Sequence, residues 1–136
     1  MPKCRLLCCS EVAIVDKFTN DLTIINVLDT IQATSFPQWH GELVVSAVIV
    51  RMPNEASEVE LNLVLSKGRK PLQSFPFVAD FGEMLRHTAI IRMHGIGIQG
   101  PGELVLALKH GAKTLASFSI DVTAMSKSAS ASGASD

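Results

Sequence analysis

The chain reads as an all-β protein, a single antiparallel sandwich of about eight strands with Greek-key or jelly-roll-like connections. Three observations predict it. Short apolar runs rich in β-branched residues recur along the chain, turn signals separate them at regular intervals, and almost no segment carries a helical period. The most informative run is Leu43-Val44-Val45-Ser46-Ala47-Val48-Ile49-Val50, which is apolar on both parities. Alternate side chains of a strand point to opposite faces, so both faces of this strand need cover.

The elements follow in order. Residues 3–9 form a buried strand of Leu and Cys. Ser10 caps a short helical turn through Val15, and Asn20-Asp21 is a turn. Residues 22–33 form one strand, broken by the Pro and Gly of 35–41, a loop that carries Trp39 and His40. The doubly apolar strand covers 42–52. Residues 57–66 alternate, with Val59, Leu61, Leu63 and Leu65 on the buried side. Lys67-Gly68-Arg69-Lys70 is a turn. Residues 72–78 contain Pro76 and suit an edge or bulge position. A loop with one helical turn spans 79–86, and a strand covers 88–98. Residues 103–109 and 114–123 make a hairpin across His110-Gly111-Ala112-Lys113. The domain is therefore residues 1–123, followed by a Ser/Ala-rich tail at 124–136 that is too polar and small to order itself.

Composition narrows the function. The 136 residues suffice for one domain with a real core. Charged residues are 18% of the chain, low enough to imply surface buried by partners. The 12 basic and 13 acidic residues leave a net charge of −1, which offers nucleic acid and anionic membranes no basic excess. Aromatics are 5%, too few to build a stacking platform. Cys4, Cys8 and Cys9 are an odd, clustered set, read as reduced thiols of a cytoplasmic protein. The first nine residues resemble a leader, but the apolar part is short and Glu11 and Asp16 follow at once. No run approaches the ~20 apolar residues of a membrane helix.

Chemical motifs are sparse. Gly95-Ile96-Gly97-Ile98-Gln99-Gly100 matches a dinucleotide-binding fingerprint by letters, but Pro101-Gly102 and a strand follow where a helix is required. It reads as a glycine-rich bend joining two strands. His40, His87, His94 and His110 lack zinc-ligand spacing, and the scattered Asp16, Asp21, Asp29 and Asp80 lack calcium-loop density. No cofactor or metal is expected. Trp39-His40 is either a binding contact or a plug closing one end of the sandwich.

One resemblance extends over most of the chain. Leu22-Thr23-Ile24-Ile25-Asn26-Val27-Leu28-Asp29-Thr30-Ile31 looks like a recurring strand motif, Ser35-Phe36-Pro37 with His40 like its companion loop, and Gly100-Pro101-Gly102-Glu103 like a late turn. Together they are similar to a family of small bacterial proteins catalogued only as a domain of unknown function. Leu28 departs from it, standing where the motif has an aromatic, as does the tail. The resemblance implies the all-β fold up to about Val122 and supplies no catalytic residue.

The expectation is a non-enzymatic binding or assembly module that homo-oligomerises through apolar strand faces, with Val44, Val48, Val50 and Val105 at the interface. Cover by the 10–16 segment or the 79–86 loop is the competing account of the doubly apolar strand. Two other functions stay open. One is an adaptor that holds another protein or a peptide on the 72–78 edge. The other is a metal- or small-molecule-dependent enzyme built at one end from Trp39, His40, His87, Asp80 and Asp16.

Overall fold

The computed structural model describes residues 1–125, apart from the side chain of His40; the tail expected at 124–136 lies outside them from residue 126 onward. Nine strands and no helix make up the described chain: β1 (Lys3–Val15), β2 (Leu22–Val27), β3 (Thr30–Ala33), β4 (Gln38–Val50), β5 (Glu58–Lys67), β6 (Lys70–Asp80), β7 (Arg86–Ile98), β8 (Gly102–His110) and β9 (Lys113–Ala124). They form two curled sheets, half-barrels in shape, with orders β2-β1-β4-β7 and β3-β9-β8-β5-β6. This replaces the eight-stranded single sandwich. All pairings are antiparallel except β3 with β9, which is parallel.

The core lies between the sheets. Leu43, Val45, Ala47 and Ile49 of β4 face Leu61, Leu63 and Leu65 of β5 and Leu104, Leu106 and Leu108 of β8 across it. The alternation of β5 is the cause on its side: its odd positions from Val59 to Leu65 are buried and its even ones are not. The hairpin of β8 and β9 turns at Gly111, whose φ of 61° suits glycine. Edge strand β6 carries Pro71 and Pro76, each lacking a donor for a further strand.

Three elements differ from the sequence reading. Strand β1 continues through Val15 where a helical turn is expected, because Ser10 Oγ donates to the Val12 carbonyl at 3.1 Å and caps no amide. The segment 22–33 is two strands in different sheets, β2 beside β1 and β3 beside β9. Asn26 at φ 58° ends the regular part of β2, and the chain crosses at Leu28-Asp29. Residues 38–41 belong to β4, so Trp39 and His40 lie in a strand.

The most consequential feature is a fold-back of β1. Lys3 pairs with Val50, and Val50 with Arg86, so Arg86 lies beside the beginning of β1. Yet the Arg86 guanidinium donates to the carbonyl of Asn20, beyond the end of β1, at 2.7 Å. A straight 13-residue strand would hold these points about 40 Å apart. Strand β1 therefore doubles back after Ser10, where its pairing with β4 ends and that with β2 begins. The β1–β2 hairpin lies over the outer face of the four-stranded sheet. Cys8, Ser10, Val44 and Ser46 on that face are buried, although none belongs to the inter-sheet core. The hairpin turns Ala13, Val15, Leu22 and Ile24 toward the sheet, buried or half-buried, and Val12, Ile14, Ile25 and Val27 toward solvent. Ser46 Oγ is sealed beneath it and has no hydrogen-bond partner among the described residues.

Candidate functional site

The fold separates the residues singled out in the sequence. His87 pairs with Ile49 at one end of β4, and Trp39 pairs with Gly97 at the other. Ten positions at ~3.3 Å each place them on the order of 30 Å apart along the strand, too far to share a small ligand. Asp80 ends β6 and accepts the Gly82 amide at 2.9 Å. Asp16 opens the hairpin loop, where Oδ1 accepts the amides of Phe18 at 2.8 Å and Thr19 at 3.0 Å. Those two bonds, the Thr19 one foremost, lower its carboxyl pKa, since they favour the charged form. Asp16, Asp80 and His87 are thus at the Arg86 end, while Trp39 and the backbone of His40 are at the other. Among the described residues, no three His, Cys, Asp or Glu side chains are placed to hold a metal.

Trp39 is 66% exposed and lies against Gly97, where a β-carbon would come within 3.0 Å of the indole. It plugs nothing. The cause is a change of face within β7: its inward residues run Ala89, Ile91, Met93 and then Ile96, Ile98. His94 and Gly95 are both exposed at the step, and Gly95 has a φ of 66°. The glycine-rich letters therefore bend one strand, and the turn to β8 comes only after Ile98.

The four valines are also divided. Val44, Val48 and Val50 share the outer face of the four-stranded sheet. Val105 is on the outer face of the five-stranded one, beside Ser66 and Ser119 and away from the core leucines of β8. No single flat surface contains all four. Val44 is fully covered by the hairpin; Val48, Val50 and Val105 are half-buried. Leu115 packs against the core.

Two features escaped the sequence. Arg51 is the first. It donates to the carbonyls of Met84 at 3.0 Å, Glu55 at 3.0 Å and Gly82 at 3.3 Å, and its guanidinium lies 5.5 Å from the Phe81 ring centre. Phe81 in turn meets the His87 ring edge-on at 5.8 Å. One side chain thus ties the β4–β5 turn to the β6–β7 turn. Nothing in a lone Arg before Met52-Pro53 signals this, because its partners are backbone carbonyls. The second is Phe18, 99% exposed at the hairpin tip.

The cysteines are poor nucleophiles in this fold. Burial, aided by the neighbouring Cys8, pushes the Cys9 thiol up to about 12, and burial raises Cys4 and Cys8. Native protein at pH 8 should leave Cys9 unmodified by iodoacetamide over a time that alkylates the unfolded chain fully. Mass spectrometry of the digested protein measures it, and rapid native alkylation of Cys9 would refute its burial. The linkage has a sign. A thiol held neutral by the fold stabilises below its unfolded value near 9, and that contribution is lost as pH rises toward 12. Urea midpoints should fall across that window, and less so in Cys9→Ala.

No helix among the described residues is long and apolar enough to cross a membrane. No curated protein matches the chain. A family model does match, over residues 5–123, from near the start of β1 to near the end of β9. By that match the chain belongs to the family of unknown function DUF6941.

Proposed function

We propose that this chain is a non-catalytic assembly module that associates with a second copy of itself through the β1–β2 hairpin. The observation that carries this reading is the hairpin's second apolar face. One side is spent covering Val44 and Ser46. The other leaves Ile14 and Val27 each 52% exposed and Val12 and Ile25 each 42% exposed, with Phe18 at the tip. An apolar face held on a strand scaffold loses little side-chain entropy when a like face covers it. The outward strand positions Val12, Ile14, Thr23, Ile25 and Val27 carry no charge, so the apolar parts of two identical faces can meet without opposing like charges. The valines of the central strand enter indirectly, because they seat the hairpin from below.

The β6 edge suits an added strand less well, since Pro71 and Pro76 remove two donors. An end-loop enzyme is less supported still, with its residues divided between the two ends of β4.

Light scattering coupled to size-exclusion chromatography tests the proposal. The wild-type chain is expected to run as a dimer or larger assembly. Ile14→Asp and Ile25→Asp should run as monomers with unchanged circular dichroism, because an unpaired charge in an apolar contact costs on the order of 2–5 kcal/mol. A monomeric wild type at high concentration, or an assembly indifferent to both substitutions, overturns it.

A further inference from the structure

A second surface is independent of the assembly reading. At the end of the sheet where β1 begins, a half-open groove of about 560 Å³ runs between β1, β4 and the two turns that Arg51 joins. Its size is that of a small-molecule site. Four of the chain's twelve Lys and Arg line it, namely Lys3, Arg5, Arg51 and Arg86, in a chain whose net charge is −1. The concentration is therefore local and not a property of the composition. Glu55 is the acidic residue of its lining, and that carboxylate is already engaged by the Met52 amide at 2.7 Å and by the terminal amine. Among the described residues, Lys3, Arg5 and Arg86 form no ion pair.

Position explains the clustering. Lys3, Val50 and Arg86 are neighbours in one row across three strands, so the two cations flank Val50 with roughly 10 Å between their backbones. Arg5 sits in the irregularity between Cys4 and Leu6, which breaks the alternation beside them. Arg86 is held by the Asn20 carbonyl, and Arg51 by its three turn carbonyls, so both heads are positioned before any ligand arrives. The remaining wall is apolar: Val50 with Met52 and Leu85, the last two 62% and 45% exposed. Cations over an apolar wall match one class of ligand.

The geometry points to a binding site for a small amphiphilic anion, a molecule with one carboxylate or phosphate on an apolar body, whose head meets Lys3, Arg5 and Arg86 and whose body covers Val50, Met52 and Leu85. Such a ligand is stabilised by charge-assisted hydrogen bonds and by burial of the exposed wall together, and by neither alone.

The test uses the full chain with a free N-terminus and any tag placed after residue 136. Octanoate, octanol and inorganic phosphate are titrated separately, read by backbone amide shifts of Val50, Met52 and Leu85. Octanoate is expected to saturate, octanol and phosphate to bind at least about ten-fold more weakly. Arg5→Gln and Lys3→Gln should each weaken octanoate by about ten-fold, while Lys109→Gln on the far sheet should not. Added salt should weaken octanoate as well. Equal binding of octanol, equal binding of phosphate, or no saturation with octanoate overturns the proposal. Co-sedimentation with phosphatidylglycerol vesicles is the final arm. Sedimentation without octanoate binding would make the surface a membrane contact and also overturn it; octanoate binding without sedimentation supports a free ligand.

Discussion

Val44→Asp is expected to destabilise the fold of the single protomer by about 3–5 kcal/mol, whereas Val12→Asp should cost that fold less than about 1 kcal/mol, its effect falling on self-association instead. Hydropathy and β-branching make the two positions look alike, and both lie on β-strands. The difference is cover. Val44 is fully buried under the folded-back hairpin, and Val12 on that hairpin is 42% exposed. A carboxylate at 44 would face Ser10 and Arg92 in register, with the hairpin above. Arg92 is already paired with Glu42 at 3.0 Å. The new charge is thus desolvated without a free partner unless the hairpin lifts. Urea denaturation at equal protein concentration measures both variants, and hydrogen exchange over residues 12–25 shows whether the hairpin has lifted. Equal tolerance of the two substitutions would mean that the hairpin does not seat on the sheet.

Arg51→Ala ranks next, at about 2–4 kcal/mol. Hydrogen bonds to a charged group contribute ~1.5–3 kcal/mol each, and the three made by Arg51 share a single ordered side chain, so their sum is discounted. Removing the guanidinium frees the carbonyls of Gly82, Met84 and Glu55 and uncovers one face of Phe81. Arg51→Lys should recover less than half of the loss, because an ammonium cannot reach three carbonyls spread around a planar fork. Thermal unfolding ranks the variants. A lysine variant as stable as wild type would show that charge alone matters at this position.

These two residues also show where the sequence was legible. Strand β5 could be read directly, because Val59, Leu61, Leu63 and Leu65 alternate with polar neighbours and only one face is covered. The hairpin of β8 and β9 was legible from His110-Gly111, where a positive φ demands glycine. The run Leu43–Val50 stated that both faces needed cover, and Val44 is covered. Less could be read wherever a residue's role depends on distant backbone. Ser10 looks like a helix cap in one dimension and serves as the point of a strand's reversal in three. Leu28 and Asp29 continue a strand by their neighbours' letters, yet the partners on either side, Cys9 and Asp121, lie in different sheets. Trp39 has the inward parity of Leu43, and only the step at His94-Gly95 on the facing strand turns it outward. The groove with Lys3, Arg5, Arg51 and Arg86 joins positions near residues 4, 51 and 86, a separation no local window spans.

The parallel pairing of β3 with β9 sets a condition on how the protein is made. Thr30 is matched with Asp121 and Ala33 with Ala124, so the five-stranded sheet acquires its last neighbour only when the end of the domain has left the ribosome. Until then β3 can be formed but has no strand to join. Pairings this distant in sequence repay their loop-closure entropy late, which slows folding toward the range of all-β domains. During that delay the hairpin of β1 and β2, made early from local contacts and able to seat on the four-stranded sheet once β7 is made, keeps its outward face uncovered. The growing chain is then most exposed to premature association through the same residues that would serve the finished one, and its synthesis rate bears on its yield.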